Sequence, residues 1–159
     1  MLIGIIGDTH DDMEQIRKAV EFLNSKNVSL VLHAGDIVSP FTVEVLGDLK
    51  AEFAGIFGNN DGDKLLLTDR FDGRISYQPL MRDVDGKRLV LIHEPELANA
   101  LAKSGDFDIV IYGHLHKPDV RNVGKALIIN PGKVARLHKG ESTLALLDTD
   151  KMEAEIIRL

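Results

Sequence analysis

The sequence predicts an α/β protein in which two β-sheets pack face to face with helices outside. Three observations carry that expectation. The first half alternates short Ile/Val-rich runs with amphipathic stretches, the pattern of strand–helix–strand units with a parallel sheet. The second half is punctuated by Asp85-Gly86, Gly124-Lys125 and Thr149-Asp150-Lys151, each between two apolar runs, which are hairpin signals and imply antiparallel pairing. Finally, one apolar run after another is closed by an acid, an asparagine or a histidine: Asp8, His10, Asp36, Asn59, His93, His114 and His116.

In chain order, Leu2 to Gly7 is Ile-rich, short and ended by Gly-Asp, a buried strand. Asp12 to Ser25 is a helix, because Ile16, Ala19, Val20 and Leu23 recur at helical spacing and Asp11 or Asp12 can cap it. Val28 to Ala34 is a second strand. Ser39-Pro40 opens a helix to about Leu49, with serine as cap and proline at the first position. Phe53 to Phe57 is a third strand, closed by Gly58-Asn59-Asn60-Asp61-Gly62. Lys64 to Asp69 is a short helix. Pro79 to Val84 and Lys87 to His93 form a hairpin, followed by a helix from Pro95 to Lys103 and a strand from Asp106 to Tyr112. Hairpins over Val120 to Ile129 and Thr143 to Arg158 complete the chain, so the second sheet is expected to be mixed.

With 159 residues, 44% of them hydrophobic and 28% charged, residues 1–159 are expected to form a single globular domain. No apolar run approaches the roughly 20 residues needed to cross a bilayer. No signal peptide is expected, because the apolar opening is short, lacks a basic flank and reaches Asp8 at once. Zero cysteines exclude a disulfide framework, a thiolate metal site and a cysteine nucleophile, in keeping with a cytoplasmic protein. The formal charge of −6 argues against an extended nucleic-acid surface, which needs a basic face.

In parallel sheets, ligands sit beyond the carboxyl ends of the strands, and Asp8, Asp36 and Asn59 all lie there. Residues i and i+2 of a strand share a face, so His114 and His116, after the 106–112 strand, can converge on one place. All seven candidates offer nitrogen or oxygen, a mixed set that suits manganese, iron, nickel or zinc. Seven ligands exceed what one open catalytic ion needs and fit two ions if a carboxylate bridges. Asp36, with two oxygens, is the natural bridge. Two ions about 3.5–4 Å apart can activate a water, polarise a phosphoryl group and hold the attacking and leaving oxygens in line.

The order Asp8-Thr-His10, Gly35-Asp36, Gly58-Asn59, His93 and Gly113-His114-Leu-His116 resembles the calcineurin-like metallophosphoesterase superfamily. The short chain and Asn130-Pro131-Gly132 narrow the resemblance to small bacterial and archaeal phosphodiesterases of the YfcE type. The resemblance spans essentially the whole chain and implies a four-layer αββα sandwich. It implies one metal held by Asp8, His10, Asp36 and His116, and a second by Asp36, Asn59, His93 and His114. It further implies hydrolysis of a small phosphodiester by a metal-bound hydroxide, with two divalent ions, manganese first and nickel, iron or zinc as alternatives. Asp36, Asn59, Asn60 and His93 are the expected catalytic positions.

Three positions depart from most relatives. Asn60 stands where a histidine usually follows the motif asparagine; it can donate a hydrogen bond to phosphate but cannot serve as a general acid. Glu94 and Lys133 replace a common glycine and serine. Arg136 and His138, in a small basic cluster, are candidate phosphate contacts, with a solvated loop as the alternative. His33 reads as a core histidine in preference to a partner of the ligands. Asp61 reads as a turn residue or a neighbour of Asn59. Tyr112 and the phenylalanines read as core, with no aromatic platform for bases. Two other functions stay open: a phosphomonoesterase of the same fold, and a metal-bearing scaffold like the retromer subunit that resembles this family. A homo-oligomer is compatible with the sequence, which does not specify one.

Overall fold

The computed structural model describes residues 1–136 and 140–159. Six strands form the first sheet: β1 (Leu2–Ile6), β2 (Leu30–His33), β3 (Glu52–Ile56), β4 (Ile75–Ser76), β10 (Thr143–Asp148) and β11 (Glu153–Arg158). Their order is β11-β10-β1-β2-β3-β4. The second sheet holds β5 (Leu80–Val84), β6 (Lys87–Leu91), β7 (Ile109–Ile111), β8 (Asp119–Val123) and β9 (Ala126–Asn130), in the order β5-β6-β7-β9-β8. In the first sheet β1 to β4 pair parallel and antiparallel pairing is confined to the β10–β11 side; in the second, β6, β7 and β9 pair parallel between antiparallel β5 and β8, so both sheets are mixed. The last hairpin does not join the second sheet, as the division of the chain into halves implied. It pairs with β1, because Leu144 and Ile157 cover the helical layer while Ala145 and Leu147 fill the space between the sheets. Two-residue β4 has no period of its own and escapes sequence reading.

Strand alternation sorts the apolar residues into layers. Ile3, Ile5, Leu30, Leu32 and Ile56 face Leu89, Leu91, Ile109, Ile111, Leu127 and Ile129 across the sandwich. Ile6, Val31 and Phe53 turn the other way, onto α1 (Met13–Ser25), α2 (Val43–Leu46) and α3 (Lys64–Arg70). Val90, Ile92, Val110, Tyr112 and Ile128 face Ala98 and Ala102 of α4 (Ala98–Ser104). The result is helix, sheet, sheet, helix, with central strands buried on both faces, which explains their near-continuous apolar runs. Strand β1 approaches α1 so closely that a Cβ on Gly4 would meet Leu23 Cδ2 at 2.5 Å.

Asp12 caps α1 through the Gln15 amide, whereas Asp11 leaves the helix and accepts from both the amide and hydroxyl of Ser39. The helix expected over 39–49 is a 3-10 turn at Pro40–Thr42 followed by one α-turn at Val43–Leu46. The 95–103 helix likewise begins as a 3-10 turn. Phe41 is 74% exposed, against the expectation that the phenylalanines are core.

Candidate metal centre

The parallel strands of both sheets end at the same edge of the sandwich. Loops after β1, β2, β3, β6 and β7 carry Asp8 and His10, Asp36, Asn59, His93, and His114 and His116, respectively. Asp8, Asp36 and His93 are buried and form the floor, while Asn59, His114 and His116 stand at the exposed rim.

These side chains gather as two sets around one carboxylate. In the first, one donor atom each from Asp8, His10, Asp36 and His116 lie within 4.8 Å of one another. His10 Nε2 is 3.6 Å from Asp36 Oδ2 and 3.3 Å from His116 Nε2. In the second, Asn59 Oδ1 is 2.9 Å from both His93 Nε2 and His114 Nδ1, and His93 Nε2 is 3.5 Å from Asp36 Oδ1. The two oxygens of Asp36 therefore face different sets, and His114 and His116 fall on opposite sides.

The last two do not reach this arrangement as neighbours on a strand. Strand β7 stops at Ile111, and both histidines have left-handed backbone, φ 66° at His114 and 55° at His116. The same holds for Asp8, His10 and Asp36, with φ of 50°, 40° and 58°. Such conformations cost L-residues on the order of 1 kcal/mol each and persist where surrounding bonds enforce them.

Those bonds are identifiable. Asp61 sits beneath the β2 and β3 loops and accepts from the amides of Gly58 (2.6 Å), Val38 (2.7 Å) and Asp36 (3.1 Å). His33 is fully buried; its Nδ1 accepts from the Gly35 amide, so Nε2 carries the proton and donates to Thr9 Oγ1, whose hydroxyl donates to the Asp36 carbonyl. It is thus a core histidine and also a strut between the first two loops. Buried Asn130 donates to the Gly113 carbonyl and accepts from Gly132, holding the loop that bears His114 and His116. Glycine is required where loops meet: a Cβ on Gly58 would lie 2.3 Å from Asp36 Oδ1, and one on Gly113 would lie 2.9 Å from the Ala34 carbonyl. The role of Asp61 leaves no periodic signal in the sequence, whereas Asn130 belongs to the Asn130-Pro131-Gly132 run already singled out.

The remaining candidates are placed as follows. Asn60 grips Asp36 through its amide N–H to Oδ1 and its side-chain Nδ2 to Oδ2, both at 2.8 Å. Glu94 is drawn aside by a short hydrogen bond from Gln78, whose Oε1 accepts the His93 amide at 2.7 Å. Arg136 is exposed. Its amide donates to Asp12, and, after Lys18, its charge helps hold the Glu14 carboxyl low. His138 lies outside the described residues. Buried Lys133 lines a separate cleft with His116 and Lys117.

The electrostatics suit cations. Among the described residues, Asp8 Oδ1 is the buried side-chain oxygen without a hydrogen-bond partner; His116 Nε2 is 3.1 Å away yet does not bond to it. An orphaned carboxylate oxygen of this kind is costly unless an ion completes it. Burial raises Asp8 to about 7. Burial also pushes Asp36 up, but His93 and the two Asn60 donors outweigh it and leave that carboxyl below its ordinary value. For His93, burial is overcome by Asp36 and the Ala34 carbonyl, which raise it to about 9. Its Nδ1 lies 2.7 Å from that carbonyl, an arrangement that fixes a proton there and leaves Nε2 turned toward Asn59 and Asp36. Burial lowers His10 and His116, keeping their lone pairs available at neutral pH.

Acid and imidazole donors grouped at the strand ends of a four-layer sandwich define a metallophosphoesterase. A family model described as the calcineurin-like phosphoesterase superfamily domain matches residues 1–152. The chain belongs to that superfamily. It is 37% identical to a phosphodiesterase of Methanocaldococcus jannaschii over 159 residues, covering 96% of each protein. A solved archaeal phosphodiesterase structure superposes with a TM-score of 0.93 at 36% identity, covering all of both chains. YfcE, a phosphoesterase from E. coli, has a TM-score of 0.74 at 18% identity over 99% of this chain and 98% of its own. Vps29 from Entamoeba histolytica, solved with zinc, has 0.73 at 20% identity over 100% of this chain and 98% of its own. The last two likenesses are of fold alone.

Proposed function

We propose that the protein is a phosphodiesterase that works with two divalent cations. The observation that carries this reading is the position of Asp36, whose two carboxylate oxygens face two separate donor sets at 3.6 and 3.5 Å. Asp8, His10 and His116 share one cation with Asp36, and Asn59, His93 and His114 share the other. The donors are borderline-hard nitrogen and oxygen, so manganese fits, and nickel, iron and zinc fit the same set. When bound, such a pair supplies Lewis acidity toward the phosphoryl oxygens and lowers the pKa of a coordinated water. The chain's own part is positional. The buried floor of Asp8, Asp36 and His93 fixes the donors, and the exposed rim leaves them open to a small diester. The Asn60 side-chain amide lies at Asp36 and can turn to a phosphoryl oxygen as a neutral donor. Asn60 carries no titratable proton, and Glu94 is engaged by Gln78, so neither protonates the leaving group. Diesters of acidic alcohols are therefore the favoured substrates.

The relatives named for phosphodiesterase activity support this reading. The test is hydrolysis by metal-stripped protein reloaded with manganese. Bis-p-nitrophenyl phosphate should be cleaved faster than p-nitrophenyl phosphate, and Asp36→Ala and His114→Ala should each abolish turnover. A preference for the monoester would make the protein a monoesterase. Failure on both substrates with every ion would leave a metal-bearing scaffold.

A further inference from the structure

Beside the second donor set lies a cleft of about 550 Å³ lined by Gln78, Pro79, Ile92, Glu94, Glu96, Leu97 and Leu101. Its inner wall is continuous with the centre. Glu94 is the residue after His93, and Gln78 accepts the His93 amide proton while donating to Glu94. Cleft and centre thus share a wall one residue thick. The volume falls within the range that accommodates small organic ligands, roughly 300–1,000 Å³. Four lining side chains are apolar, and Leu97 stands at the rim, 62% exposed. The polar lining consists of one amide and two carboxylates, with no cation. Such a cleft repels a second phosphate and accepts hydrogen bonds from N–H donors. Cationic lining occurs instead in the cleft beside His116, with Lys117 and Lys133.

We propose that the Gln78–Leu101 cleft is the subsite for one ester substituent of the substrate, a nucleoside-like group: uncharged, flat and largely apolar, with amine or imide N–H donors turned to Glu94 and Gln78. This rests on the diesterase reading and extends it to a substrate class. The carboxylates set the preference for hydrogen-bond donors, Ile92, Pro79 and Leu101 give contact area, and Leu97 closes over the outer face. Fixing the base there places its ester phosphate toward His93 and His114.

The experiment pairs two diesters with one leaving group, thymidine 5′-(p-nitrophenyl phosphate) and methyl p-nitrophenyl phosphate, on manganese-loaded wild type and Leu97→Asn. Leu97 is exposed, on the 3-10 turn that leads into α4 and outside the buried core, so asparagine there removes no core packing. The expected result is a KM for the thymidine ester raised about tenfold with kcat unchanged, and methyl ester kinetics within about twofold of wild type. Equal effects on both esters, or none on either, would overturn the proposal. Binding is read separately by titrating uncharged thymidine and following the methyl resonances of Ile92 and Leu101. Saturable shifts in wild type that weaken in Leu97→Asn support the subsite, and unmoved methyls refute it. If thymidine binds but wild type cleaves neither ester, the diesterase reading fails and the cleft assignment stands.

Discussion

Replacing Asp61 with asparagine isolates how the centre is held from what it holds. The carboxylate accepts three backbone amides, Gly58 and Asp36 on Oδ2 and Val38 on Oδ1. Asparagine keeps one acceptor. In its better orientation the carbonyl stays on the Gly58 and Asp36 amides, and the new NH₂ faces the Val38 amide, donor against donor. The Val38 N–H then loses its partner, at about 1–3 kcal/mol, and two charge-assisted bonds become neutral ones of about half the strength. The sum is about 3 kcal/mol. For a chain of this size each kcal/mol moves Tm by about 2–4 °C, so metal-free Asp61→Asn should melt about 6–12 °C below wild type in a calorimetric scan. Because Asp61 acts through backbone, the variant should still take up two manganese ions per chain, more weakly. A melting temperature within about 1 °C of wild type would refute the account of Asp61 as the residue that enforces the Asp36 turn. Loss of one ion outright would mean that Asp61 is itself a ligand.

Other outcomes follow from the same geometry. Asp8 and His93, raised to about 7 and about 9, must shed protons to bind cations. Because Asp8 serves one cation and His93 the other, the logarithm of manganese affinity should climb with a slope of about 1 up to about pH 7 for the first ion and up to about pH 9 for the second, then level off, as calorimetry in buffers of different ionisation enthalpy can check. In the metal-free protein the raised His93 contributes stability that is full below about pH 6.5 and lost as pH rises through about 9, so its Tm should fall over that window. His10→Ala and His93→Ala should each reduce bound manganese from two ions to one, measured by elemental analysis, because they serve different sides of Asp36. Gly58→Ala places a methyl 2.3 Å from Asp36 Oδ1 and should lower kcat at least a hundredfold while the protein remains folded by circular dichroism.

Much of this was legible in the chain because the strands are buried on both faces and end in polar residues. The runs ending at Gly7, Gly35 and Gly58 announced parallel strands, and the edge where they stop announced the centre. Other features had no such signal. The last hairpin pairs with the first strand through choices of face at Ala145 and Leu147 that a period of two cannot distinguish between sheets. Asp61 reads as a turn residue because its three bonds go to backbone, which every sequence possesses. The His114–His116 pair was read through strand geometry, and it converges on the site by another route, since two left-handed residues alternate with Leu115. Arg136 was read as a phosphate contact from its neighbours in sequence, and the structure adds only that its backbone amide is tied to the start of α1.

The left-handed turns make the centre a portable object of a particular kind. Five of its seven candidate donors hang from left-handed backbone, at φ between 40° and 66°. The same side chains mounted at equal spacing on regular strand ends would diverge instead of meeting. A designer moving this chemistry to another α/β scaffold would have to carry whole turns, with Gly58, Gly113, Asp61 and Asn130 beneath them, and could treat the strands below as interchangeable. The unit of inheritance is the bend, and the ligands travel with it.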